Sequence, residues 1–275
     1  KIMEIQQSLP YRQNLQALGW SVLPIEKTFL VIRHFPLIGT LAKLQRCTTL
    51  PSVPAITKLI RSHHIRTLSV EPSFTIDQRD FLRWTGEISK FVRINKTPNL
   101  STKTIRVDLA NPEETLFNKF SEAKRRAVRR AQKAGVSVTQ SSDINALLQI
   151  KNKSAGFLGF ITTYGTDKLW PLFAPGHAAI LLAKNTHVIG GVLLLFWDDI
   201  AYYWIAGATR EGKKLFAPTL LVWEALKLSK QRGAKKFDFI GVWDERIPRE
   251  NLSWKGFTKF KEGFGGQTLY YPLAY

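Results

Sequence analysis

Acidic residues are scarce in this chain: 21 Asp and Glu stand against 40 Lys and Arg, a formal net charge of +19. Such a field draws polyanions (nucleic acid, anionic lipid head groups, phosphorylated substrates) and says nothing about fold. Cysteine is nearly absent. The single thiol, Cys47, excludes an internal disulfide framework, fits a reducing compartment, and lies in Arg46-Cys47-Thr48-Thr49 without the setting of a nucleophile. The five histidines, His34, His63, His64, His177 and His187, lack ligand spacing, so neither a metal nor any cofactor is expected. There is no Gly-x-Ser-x-Gly elbow and no Gly-x-x-x-x-Gly-Lys-Ser/Thr loop, which argues against Ser/His/Asp chemistry and P-loop hydrolysis. Long apolar runs are missing as well. The longest, 188–197, is half a membrane span and stops at Asp198-Asp199. No secretory signal stands at the start. The expectation is a cytoplasmic monomer, able to touch the inner face of a membrane.

What is present reads as alternating helices and strands, without a short repeat or low-complexity tract. A capped helix is expected from Ser8 to a stop at Gly19, strands over 21–24 and 28–33, a helix over 54–64, a strand over 65–70 and a helix over 77–88. Residues 91–102 turn to Asn, Thr, Pro and Lys, the composition of a connection between lobes. After a strand at 104–109, Asn111, Pro112 and Glu114 signal a helix running to Ala134 and ending at Gly135. A strand over 136–140, a helix over 143–153, a strand over 177–183, a hairpin of 188–196 with 200–206, a helix over 218–232 and a strand over 237–242 complete the pattern. The class is α/β, with α+β mixed layers.

Three places carry candidate chemistry. The helix before Gly135 presents Lys119, Lys124, Arg125, Arg126, Arg129, Arg130 and Lys133, with Arg125, Arg129 and Lys133 at four-residue spacing and no acid between Glu122 and Asp143. Like charges at that spacing repel, so a phosphate-binding face is weighed against a solvated one. Glu71 ends a strand before Pro72, where a carboxylate can orient or deprotonate an amine; a surface glutamate is the plain alternative. Finally, the strand over 237–242 is answered by residues 256–266, where Lys261 follows Phe260 beside a glycine cluster. A mobile linker bringing the lysine to the mouth of a cleft competes here with a closing hairpin of solvated lysines.

Four stretches resemble the FemABX family of aminoacyl-tRNA-dependent peptidyltransferases. They are Thr104-Ile105-Arg106-Val107-Asp108-Leu109 with 124–131 and Lys133-Ala134-Gly135-Val136; Val70-Glu71-Pro72; 217–225 with Gly233 and 237–242; and 257–266. The likeness is strong after Thr104 and weak before it. Two departures stand out: Tyr11 occupies a position where the family often has Trp, and Leu15 lies near the place of its lysine. The long charged insertion that forms a helical arm in some members is missing.

The resemblance implies two domains related to the GNAT acyltransferases: 1–103, completed by 267–275, and 104–266. It implies transfer of an amino acid from aminoacyl-tRNA to an amine of a peptidoglycan precursor, lipid-linked or nucleotide-linked. Lys261 with Phe260 is placed at the reaction centre and, more weakly, Glu71 in the precursor site. Arg125, Arg129, Lys133 and Tyr203 are assigned to substrate binding. Two alternatives stay open. One is a CoA-dependent N-acyltransferase, although the segment 209–217 keeps only Gly212 of the glycine turn that cradles pyrophosphate. The other is a non-catalytic module of GNAT shape that binds nucleic acid or anionic lipid.

Overall fold

β-Branched and aromatic residues in short runs, separated by glycine and proline, build two sheets, each with its own core. The computed structural model describes residues 3–155 and 163–274. The chain divides into two compact units, Lys1–Lys103 with Leu269–Tyr275, and Thr104–Thr268.

In the first unit Ser8 caps α1 (Leu9–Ala17) through the Tyr11 amide. β1 (Ser21–Ile25), β2 (Thr28–Phe35) and β3 (Gly39–Gln45) form an antiparallel meander. The chain then crosses over through α2 (Val53–Ser62) to β4 (Ile65–Glu71), parallel to β3, and through α3 (Gln78–Ile88) to the two-residue β5 (Arg93–Ile94). α2 and α3 are amphipathic; Ile56, Ile60, Phe81 and Ile88 pack with Leu30, Leu44 and Leu68 of the sheet. Each such fully buried side chain contributes about 1.5–3 kcal/mol. Cys47 belongs to this core, and burial pushes its thiol up to about 12, which leaves it inert. Tyr11 and Leu15 are also buried. β3 has no counterpart among the expected strands, because Leu41-Ala42-Lys43-Leu44-Gln45 consists of helix formers that only pairing between β2 and β4 holds extended.

The second unit follows with β6 (Lys103–Asp108), α4 (Glu113–Asn118), α5 (Glu122–Lys133), β7 (Ser137–Ser141), α6 (Ile144–Ala155), α7 (Thr166–Phe173), β8 (Ala178–Lys184), β9 (Val188–Trp197), β10 (Ile200–Ala208), α8 (Arg210–Lys214), α9 (Ala217–Gln231), β11 (Lys236–Asp238), α10 (Lys255–Glu262) and β12 (Gln267–Tyr270). The sheet order is β12-β6-β11-β10-β9-β8-β7. Strands β7 to β10 run antiparallel in succession; β11 is parallel to β10 and antiparallel to β6. The mixed-layer class expected from the sequence is the class observed.

Three local expectations are corrected. The single helix to Ala134 is two helices, α4 and α5, broken at residues 119–121. Phe120 turns into the core, Ser121 caps α5 through the Lys124 amide, and the Arg125 guanidinium takes the freed carbonyls of Asn118 and Phe120. The strand over 237–242 stops at Asp238, because Ile240 (φ 44°) and Gly241 (φ 68°) turn the backbone left-handed. Phe260 and Lys261 stand on α10, neither in a linker nor in a hairpin.

Candidate active site

β10 and β11 are in register only from Ile200 opposite Lys236 to Tyr202 opposite Asp238. Beyond that point β10 carries a bulge between Tyr203 and Ile205, and β11 gives way to the left-handed turn. Bulges of this kind re-aim side chains and end pairing. A cavity of about 420 Å³ opens there within the second unit. It is lined by β10 from Tyr203 to Ala208, by Ile240, by Lys151 and Ser154 of α6, by Lys213 and Pro218, and by Phe257, Phe260 and Lys261 of α10. Among the described residues no carboxylate lines it.

Lys261 is 8% exposed. Its Nζ donates to the carbonyls of Phe239 (2.7 Å), Ile240 (2.8 Å) and Gly241 (2.7 Å). The consecutive left-handed residues are what make three neighbouring carbonyls converge on one point. Burial pushes the ammonium down to about 7; the Asp238 carboxylate works upward and Lys151 downward. The carbonyl cage favours the charged form, since a neutral amine has two N–H groups and would turn its lone pair toward the third oxygen. The turn is anchored from below. Asp238 accepts from Thr104 Oγ1 (2.6 Å), Arg106 Nε (2.6 Å) and the Ile240 amide (2.8 Å).

The aromatic wall has its own support. Phe260 packs on Phe264 with centroids 5.1 Å apart, and Lys124 Nζ sits 3.7 Å from the Phe260 centroid. Burial pushes the Lys124 ammonium down to about 8. Lys261 Nζ lies 4.8 Å from the Phe257 ring. Tyr203 packs against Phe239 at 5.7 Å and Phe237 at 6.0 Å, and burial raises its phenol, which stays neutral. Lys151 is lowered by burial and then by its neighbour Lys213.

Of the residues singled out in the sequence, the cavity brings together Lys261, Phe260 and Tyr203. Arg125 is committed to capping carbonyls, while Arg129 and Lys133 are exposed on α5, with Arg129 5.8 Å from the Phe117 ring. Glu71 belongs to the first unit. It is buried at the end of β4, where one carboxylate oxygen accepts from the amides of Asn99 (2.6 Å) and Leu100, and the other from Gln45 Nε2 (3.4 Å). Lys151, Lys213 and the Lys124–Phe260 stack were not anticipated. Lys124 was visible only as one cation among seven, and nothing local marks Lys151. Gly212, the remnant of a pyrophosphate turn, has a packing reason: a Cβ there would stand 2.2 Å from the Ile189 carbonyl oxygen. Among the described residues no group of histidine, cysteine and carboxylate ligands gathers for a metal, and no helix is long and apolar enough to cross a membrane.

The cavity, its lysine and the α10 aromatics all fall in the part of the chain that has a family match. Residues 177–272 match the FemAB family. The resemblance seen in the sequence is borne out there, and the solved structures extend the fold to the rest of the chain. FemX superposes with a TM-score of 0.72 at 13% identity, over 98% of this chain and 90% of that one. The C-terminal domain of a putative lysylphosphatidylglycerol synthetase from Agrobacterium fabrum gives 0.59 at 12%, over 98% and 87%. A tandem GNAT protein from the clavulanic acid biosynthesis pathway gives 0.52 at 12%, over 88% and 77%. The fold is therefore FemX-like, with two GNAT-like halves. No curated protein matches the chain.

Proposed function

We propose that this protein is an aminoacyltransferase that moves an amino acid from aminoacyl-tRNA to an amine of a peptidoglycan-precursor stem peptide. The FemAB match and the FemX-like fold support acyl or aminoacyl transfer in cell-wall synthesis. The observation that carries the reading is a desolvated ammonium on the wall of a cavity whose described lining holds no acid, next to aromatic rings.

In this reaction the neutral acceptor amine attacks the ester carbonyl. A C–N bond forms, charge collects on the carbonyl oxygen, and the tetrahedral centre collapses by breaking the C–O bond to the ribose. The proton lost by nitrogen ends on the departing hydroxyl by way of solvent. Such an attack needs orientation and positive potential more than a strong base. Lys261 has all three donors engaged, so it acts as a fixed charge in a low-dielectric wall. Phe260 and Tyr203 shape the surface against which the acyl group lies. The cations of α5 supply salt-sensitive attraction to the phosphates of the donor or the precursor. Glu71 we assign to holding the connection at Asn99 and Leu100, a positioning role.

The test is incubation with charged tRNA and lipid-linked or nucleotide-linked precursors, read by mass spectrometry. A mass increase of one aminoacyl residue, abolished in Lys261→Met, is expected. Acylation from acetyl-CoA with none from charged tRNA overturns the reading.

A further inference from the structure

The two ends of the first unit differ in charge and in what they leave bare. β2 ends, and β3, β4 and β5 begin, at the end where α1, α2 and α3 also stop. Arg33, Arg61, Arg66, Lys90 and Arg93 stand there. Among the described residues of the unit one acid shares that end, Glu87 in the last turn of α3. Glu4, Glu26, Glu71, Asp77 and Asp80 gather at the other, around the ends of β1, β3 and β4 and the start of α3.

At the basic end β2 and β3 are joined by Pro36-Leu37-Ile38, closed where Phe35 pairs with Gly39 (φ 90°). Hairpin turns of this kind favour polar residues and glycine. Here Leu37 is 97% exposed and Ile38 58%. Neither adds to the core, so packing does not account for them. Phe91, between α3 and β5, is a third bare apolar side chain, with the Arg61 guanidinium 5.6 Å from its ring.

The base of the turn is held from both sides. Arg33 Nη1 donates to the Leu18 carbonyl (2.9 Å), its guanidinium lies 5.1 Å from the Phe35 ring, and Trp20 meets that ring edge-on at 6.3 Å. Glycine at 39 leaves room for the Arg66 stem, which a Cβ would overlap, and Arg66 Nη1 donates to the Ile38 carbonyl at 3.5 Å. Arg61 and Lys90 have a plain reason to be there, since helix C-termini favour cations. That reason does not reach Arg66 and Arg93, which are on strands, or the apolar pair at the tip. An apolar point that projects, collared by cations and backed by aromatic rings, suits a layer of anionic head groups. Nucleic acid would meet the cations but gain nothing from Leu37 and Ile38.

We propose that this end of the first unit docks on an anionic phospholipid bilayer, with Leu37 and Ile38 entering the acyl boundary and Arg61, Arg66 and Lys90 against head-group phosphates. The inference stands apart from the transferase reading, because the binding needs neither donor nor acceptor.

The experiment is co-sedimentation of the full chain with vesicles of phosphatidylglycerol or of phosphatidylcholine. Wild-type protein should bind phosphatidylglycerol at least about tenfold more tightly. Leu37→Ser with Ile38→Ser should weaken that binding by about tenfold or more at unchanged charge, with the melting profile retained. Arg61→Gln with Lys90→Gln should do the same through lost attraction. Leu9→Ser with Leu82→Ser, and Lys27→Gln with Arg79→Gln, remove like groups from exposed positions elsewhere on the unit. Both should stay within about twofold of wild type, as side chains away from the bilayer add little to binding. The proposal is overturned if the tip variant binds like wild type, if the controls lose as much, or if phosphatidylcholine binds as tightly. It also fails if the Arg61 and Lys90 variant loses affinity for RNA but keeps its vesicles. Should vesicles bind as expected while charged tRNA gives no transfer, the transferase reading fails and the docking surface stands.

Discussion

Two buried charges of opposite sign invite comparison. Glu71, at the end of β4, and Lys261, on α10, are each 8% exposed, and each gathers main-chain groups: the carboxylate takes two amides, the ammonium three carbonyls. As hydrogen-bonding devices they are mirror images. They differ in the space beside them. The hollow at Glu71 holds about 20 Å³, room for little more than a water, whereas the one at Lys261 holds about 420 Å³. A buried charge that organises backbone becomes a chemical centre only where a substrate can lie against it. On that ground we propose Lys261 for the reaction and Glu71 for the scaffold.

Substitution offers the most forceful attack on this contrast. Lys261→Met should lower turnover by about a hundredfold or more. It should also destabilise the second unit by about 3–6 kcal/mol, since three buried carbonyls lose their partner. Turnover on charged tRNA and denaturant midpoints read the two effects separately. Glu71→Gln keeps an acceptor for both amides, so a loss of about 1–2 kcal/mol with turnover within threefold is expected. A hundredfold fall in turnover there would make the two sites equals and end the distinction.

pH provides the next probe. The Lys261 ammonium is charged below its pKa, and burial brings that down to about 7. Transfer should therefore decline as pH rises above this value, and Lys261→Arg, which stays charged, should lose the decline. A profile identical in both proteins would remove the charge from the mechanism. The smallest expected effect is that of Tyr203→Phe, which keeps the ring on Phe237 and Phe239 and removes a neutral hydroxyl. A change below about tenfold in kcat/KM is expected; a larger one would give the hydroxyl a direct part in transfer.

Much of the frame was legible along the chain. Ser8, Asp77 and Gly135 mark helix ends where the structure has them, and the hairpin around Asp198-Asp199 falls where the apolar run ending there put it. The failures have physical causes. Arg125 was read as a phosphate ligand, yet it lies five residues from the carbonyl it caps across a helix break, and a charge pattern does not show whether a guanidinium points outward or back at its own chain. Ile240 argued for a strand by its β-branch, but its backbone is left-handed, held there by Asp238 accepting its amide and Lys261 taking its carbonyl. The glycines around Phe260 suggested a linker, but three of them, Gly263, Gly265 and Gly266, serve close packing. A Cβ on Gly263 would stand 2.8 Å from Lys124, and one on Gly265 2.6 Å from the Lys119 carbonyl.

Composition and local pattern determined the excess of positive charge, the alternation of helices and strands, the helix stops, and the Phe260-Lys261 pair as a place to look. Only the tertiary structure decided that the lysine sits in a cage of three carbonyls, that β10 and β11 part beside it, and that Lys151 and Lys213 share its surroundings. Local preferences act over one or two helical turns. Convergence of residues a hundred positions apart is set by sheet order and burial, which no single stretch of sequence encodes.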